Sequence, residues 1–142
     1  METREEIPNR ESEILSKLVV EETTVTKDFE KLIEEASKHF KIEKPSGRIL
    51  FQDFGSLSDK QRITVILLGK YFATRLNMIA DSSLSISEIA KELGRPMTAL
   101  SGGVKELVKQ GYVEYLPTRR YRIAYHRIKE ITDNVLNARQ KR

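Results

Sequence analysis

Between Ser85 and Gly111 the chain carries two successive sets of helix-start and helix-stop signals, and this crowding constrains the fold more than any other feature. Ser85-Ile86-Ser87-Glu88 has the spacing of a capping box, in which a hydroxyl and a carboxylate three residues apart satisfy each other's backbone N–H groups. Ile89, Ala90 and Leu93 then share one face, and Gly94 is the residue type that closes a helix in the left-handed conformation. After Arg95, Pro96 suits the first position of a new helix, whose apolar residues Leu100, Val104 and Leu107 repeat until Gly111 stops it after Gln110. The pattern predicts two short helices, over 85–93 and 96–110, joined by about three residues.

A longer segment is placed to receive their apolar faces. Ser58 and Gln61 again have capping-box spacing, and Ile63, Ile66, Leu67, Tyr71 and Leu76 stay in helical register to about Asn77. Val65, Leu68 and Phe72 make that helix apolar on most sides, which marks it as central. Beyond Gly111, residues 112–116 and 120–125 alternate apolar and polar around Pro117-Thr118-Arg119, the pattern of a β-hairpin. Period two puts Tyr121, Ile123 and Tyr125 toward the core, Arg120 and Arg122 toward solvent, and Arg119 at the tip. Ile128, Ile131, Val135 and Leu136 mark a last helix over 126–138, whose apolar stripe either forms a dimer contact or packs back on its own chain.

Upstream, Ile14, Leu15, Leu18 and Val19 predict a short helix over 11–20, and Phe29, Leu32, Ile33, Ala36 and Phe40 a second over 26–40. Lys44-Pro45-Ser46-Gly47 is a turn between two short apolar segments, giving a first small hairpin. The charge changes sign along the chain. Residues 1–57 carry 9 Lys/Arg against 13 Asp/Glu, residues 58–142 carry 16 against 8, and the total is +4. With Gly55-Ser56-Leu57 as the boundary, the sequence predicts a mainly α fold with small β-hairpins: acidic N-terminal helices and hairpin over 1–57, and a basic domain with a C-terminal helix over 58–142.

Two short capped helices with a glycine-containing joint make a helix-turn-helix, and here a long helix precedes them and a hairpin follows. The stretch SISEIAKELGRPMTALSGGVKELVKQGYVEYLPTRRYRI, Ser85 to Ile123, resembles the winged helix-turn-helix family of DNA-binding domains, in its broad MarR-like and ArsR-like branch. The resemblance covers somewhat over half the chain. It implies a transcriptional regulator that contacts double-stranded DNA with helix 96–110 and wing 112–125, working as a homodimer on two half-sites. Winged helices also serve as protein-interaction modules of larger complexes, and that alternative stays open.

Helix geometry places the residues such contacts would use. With Leu100, Val104 and Leu107 inward, 100° per residue puts Thr98, Gly102, Lys105 and Lys109 on the outward line. Arg95 and Ser101 flank them, so hydroxyls and cations suited to phosphates and base edges share one face. Arg119, Arg120 and Arg122 add cations on a projecting ribbon. Adjacent glycines inside a helix cost about 1 kcal/mol each relative to Ala, so each needs a reason. Gly103 lies on the flank expected to meet the preceding helix. At the position of Gly102 the family often carries a long base-reading side chain; its absence here leaves close backbone approach to DNA, phosphate-only binding, or a helix that touches no nucleic acid.

Other chemistries find little support. There is no Cys, hence no disulfide, thiolate zinc site or cysteine nucleophile. His39 and His126 lack partners at ligand spacing, no phosphate-cradling loop occurs, and Glu30, Glu34 and Glu35 form a solvated helix face. The chain reads as a non-enzyme with neither cofactor nor metal. No apolar run reaches membrane-spanning length, and the acidic start is unlike a signal peptide, so no membrane partner and a cytoplasmic location are expected.

Overall fold

The computed structural model describes residues 22–137, a mainly helical chain with two small antiparallel hairpins. The expected helix over 11–20 and the basic residues 139–142 lie outside that span. Helix α1 runs Glu22–Ala36, starting and ending four residues earlier than its apolar spacing suggests. The β-branched run Thr23 to Thr26 is absorbed into the helix, since such residues lower helix propensity only slightly. Phe40 leaves the helical register because it is worth more elsewhere: it opens strand β1 (Phe40–Ile42) and stacks on Phe72, with ring centroids 6.4 Å apart.

The chain divides into two compact units at Ile33 and Glu34. Within the second, β1 pairs with β2 (Ile49–Phe51) in the register Phe40–Phe51, Lys41–Leu50 and Ile42–Ile49. This hairpin, which the charge pattern groups with residues 1–57, packs on helix α2 (Asp59–Arg75) of the basic segment. The contact is close because Gly69 has no side chain. A Cβ there would lie 2.5 Å from Ile49 Cδ1, so the strand's buried isoleucine fills the space that any larger residue would take.

Helix α2 is the centre of the fold. The capping box at Ser58 and Gln61 is present, and residues 63 to 70 are buried without interruption. It touches both strands of the first hairpin, the two short helices, and the C-terminal turn. Gln61 does two jobs: its Oε1 accepts from Ser58 N at 2.9 Å, and its Nε2 donates to the Val135 carbonyl at 3.0 Å.

Helices α3 (Ile86–Leu93) and α4 (Met97–Lys109) follow as two capped elements. The Ser85–Glu88 capping box is formed, and Gly94 closes α3 with φ 65°. Pro96 sits one position earlier than expected: its ψ of 148° is extended, so it caps α4 and Met97 is the first helical residue. Strands β3 (Val113–Tyr115) and β4 (Tyr121–Ile123) form the second hairpin. A contact not foreseen joins it: Leu84 pairs with Tyr121 through two backbone bonds of 2.8 and 2.7 Å, so β4 is flanked on both sides.

The last segment departs from expectation in form. Instead of one helix over 126–138, a tight turn Tyr125–Arg127 leads into α5 (Ile128–Ile131) and a widened turn Thr132–Leu136. The apolar stripe offered as a dimer contact is consumed within the chain: Ile128, Ile131, Val135 and Leu136 are all buried.

Candidate nucleic-acid interface

Helix α4 is held by Leu100, Val104 and Leu107, each at most 1 % exposed. Its opposite side is open, with Thr98, Ser101, Gly102, Lys105 and Lys109 all exposed. Neither lysine has an ion-pair partner among the described residues. A Cβ on Gly102 would meet nothing within 4 Å, so no other described residue fills the gap in that face.

Gly103 has a different neighbour from the one expected. A Cβ there would lie 3.3 Å from Ile63 Cδ1 and 3.6 Å from Lys60 Cα, so this flank faces α2 rather than α3. The first turns of α2 lie along it, as Lys60 also shows by pairing with Glu106 at 3.2 Å. That pairing neutralises the one carboxylate of α4.

The arginines are committed within the chain to very different degrees. Arg95 grips Asp59 with two bonds, Nε to Oδ1 at 3.1 Å and Nη2 to Oδ2 at 2.9 Å, and its side chain is still 40 % exposed. The hydrogen bond from Arg95 is the main reason the Asp59 carboxyl lies below the usual aspartate range; Arg62 adds to it and partial burial opposes it. Arg120 donates to Ser83 Oγ at 2.8 Å and to the Ser83 carbonyl at 2.7 Å, and pairs with Glu88 at 3.1 Å. It serves as a bolt between β4 and the entrance of α3. Asp81 is held below its usual range mainly by the Ser83 backbone N–H and hydroxyl, with Arg120 assisting. Arg122 donates to Glu114 directly across the hairpin at 2.7 Å.

Arg119 alone of the hairpin arginines has no carboxylate partner among the described residues. It sits exposed at the turn with φ 64°, its N–H bonded to the Leu116 carbonyl. Of the three residues expected on the core side, Ile123 is buried, Tyr121 is half-buried against Tyr115, and Tyr125 is 54 % exposed. The alternation ends at Ile123 because the chain turns at Ala124; Tyr125 instead stacks on Tyr71, with centroids 5.7 Å apart and rings 5° from parallel.

The nine expected site residues thus fall into two sets. Thr98, Ser101, Gly102, Lys105, Lys109 and Arg119 are open. Arg95 and Arg122 are ion-paired with carboxylates 36 and 8 residues away, and Arg120 pairs with Glu88 besides its bonds to Ser83, 37 residues away. The anchors Asp59, Ser83 and Glu88 were not foreseen; only Glu114 opposite Arg122 carried a signal, in the strand register. His39 lies past the end of α1, its Nε2 3.3 Å from Asn137 Oδ1. Among the described residues no group of three or more His, Cys, Asp or Glu side chains is placed to hold a metal ion, and no helix is long and apolar enough to cross a membrane.

No family model, curated protein or solved structure matches the chain.

Proposed function

We propose that this chain is a winged helix-turn-helix DNA-binding protein, a transcriptional regulator that lays α4 against duplex DNA. The observation that carries this reading is the open line on α4: hydroxyls at Thr98 and Ser101, unpaired cations at Lys105 and Lys109, and no side chain between them at Gly102. Duplex affinity rests largely on cations that replace condensed counterions, and these two lysines with Arg119 are free to do so. Arg95, half exposed, adds a fourth cation when a phosphate competes with Asp59. Arg120 and Arg122 hold the hairpin in place instead of touching DNA.

The missing side chain at Gly102 suits backbone approach to a groove wall, with Thr98 and Ser101 as the short polar groups that reach base edges or phosphates. A single small module of this kind binds weakly, so a homodimer on two half-sites is part of the proposal. A second reading, a protein-docking module, draws on the arginines already neutralised inside the chain.

Gel shifts with random duplexes at several salt concentrations separate the two. With Lys105, Lys109 and Arg119 engaged, and Arg95 as a fourth, log K should fall against log salt with a slope of about 3 to 4 for each protomer bound. Combining Lys105→Ala, Lys109→Ala and Arg119→Ala should abolish binding, whereas Arg122→Ala should leave the slope unchanged. Gly102→Ala should stabilise the fold by up to about 1 kcal/mol and weaken DNA binding. Absence of duplex binding at low salt, or a flat salt response, overturns the reading in favour of the docking module.

A further inference from the structure

The first hairpin has an edge that nothing among the described residues uses. Gln52 N donates to the His39 carbonyl at 2.9 Å and Glu43 N to the Arg48 carbonyl at 2.8 Å. Antiparallel ladders alternate bonded and non-bonded pairs, so Lys41–Leu50 is the bonded pair between them, and Phe40–Phe51 and Ile42–Ile49 are not. The N–H and C=O groups of Ile49 and Phe51 therefore turn away from β1. Neither residue has another backbone partner among the described residues.

That edge borders an open groove. It is lined by Arg48 to Phe51, by Phe54, and by Lys91 and Glu92 of α3. Leu50 is 39 % exposed, and Phe51 packs edge-on to Phe54 with centroids 5.0 Å apart. The charges along it are lopsided. Glu92 is committed to Lys70 at 3.1 Å, while Arg48 and Lys91 are exposed and have no acidic partner among the described residues. The net character is a cationic, partly apolar slot beside a row of unpaired backbone groups.

We propose that this slot docks an extended acidic peptide segment of a partner protein, which adds a third strand to the hairpin along β2. Main-chain bonds to Ile49 and Phe51 supply affinity for any extended chain, and alternate side chains supply selectivity. Carboxylates on the incoming strand meet Arg48 and Lys91; its apolar residues, on the alternate face, lie beside Phe51. The site shares no residue with the open face of α4, so it stands or falls without the DNA reading.

The test uses the full chain and three blocked octapeptides: alternating Glu–Val, alternating Lys–Val, and alternating Glu–Pro. Amide chemical shifts and amide exchange are read by NMR at low salt. The Glu–Val peptide should shift the Ile49 and Phe51 amides and slow their exchange. The Lys–Val peptide should not, for want of charge complementarity, and the Glu–Pro peptide should not, for want of N–H donors. Arg48→Glu with Lys91→Glu, both exposed positions, should weaken Glu–Val binding by about tenfold or more and admit Lys–Val. Equal response to Glu–Val and Glu–Pro would reduce the effect to surface charge and overturn the proposal. So would absence of any shift at Ile49 and Phe51, or protection of those amides that rises with protein concentration alone, which would assign the edge to a second copy of the chain.

Discussion

Both hairpins pair three residues with three in antiparallel register, yet they are held to the molecule by different means. The first lies on α2 by shape: Ile49 occupies the room left by Gly69, and Phe40 stacks on Phe72. The second buries Val113 and Ile123 and adds polar bonds that the first lacks: β4 takes Leu84 on its free side, and Arg120 ties it to Ser83 and Glu88. A two-stranded hairpin is marginal in water, so each needs its anchor. The first anchor is apolar and leaves a backbone edge bare; the second uses that edge and much of the local charge. What fixes a small hairpin thus also decides which of its groups remain for a partner.

The largest test of this contrast is Gly69→Val. The added atoms have to displace Ile49, which is buried, at a cost of about 3 kcal/mol in urea unfolding. Combining Ile49→Ala with Gly69→Ala should cost at least about 1 kcal/mol less than the two single changes together. Exchange protection at the Leu84 and Tyr121 amides should be unchanged. Strict additivity would mean the first hairpin is not seated by that fit.

A smaller effect is expected from removing charge. Arg120→Ala should destabilise by about 1 to 2 kcal/mol, because it strips bonds from Ser83 and Glu88 in a partly exposed site. Arg48→Ala in the first hairpin should stay within about 0.5 kcal/mol. Equal losses would erase the distinction.

Acid should give the smallest and most local difference. Asp81 lies below its ordinary range in the folded chain, so its contribution is complete above the unfolded aspartate value of about 4 and fades as pH falls through the depressed one. Over that interval, exchange at the Leu84 and Tyr121 amides, corrected for intrinsic rate, should quicken while the Glu43 and Gln52 amides keep their protection. Asp81→Asn should remove the pH response of the second hairpin.

Features that depend on near neighbours were legible in the residues. Both capping boxes, the closure at Gly94 and both hairpins follow from groups a few positions apart, and the outward line of α4 follows from period alone. The helix ends were less so: α1 starts four residues early because a β-branched run is only mildly unfavourable. The arginine commitments were hidden for another reason. Arg95 meets Asp59 and Arg120 meets Ser83 across more than thirty residues, and no local rule connects them. Gly103 was expected to pack against α3, and α2 presses against it instead, because spacing along one helix fixes a flank and not the neighbour that covers it. The stripe on the last segment allowed two destinations, and burial on its own chain took it.

Glu88 has a consequence of its own. A single oxygen, Oε1, accepts the Ser85 N–H that caps α3 and also faces Arg120, the residue before β4. The first turn of the helix and the seat of the ribbon share that atom, so movement of one disturbs a bond of the other. A pull on the hairpin from any bound partner travels through that oxygen into α3, and the ribbon and helix should yield to force as one piece.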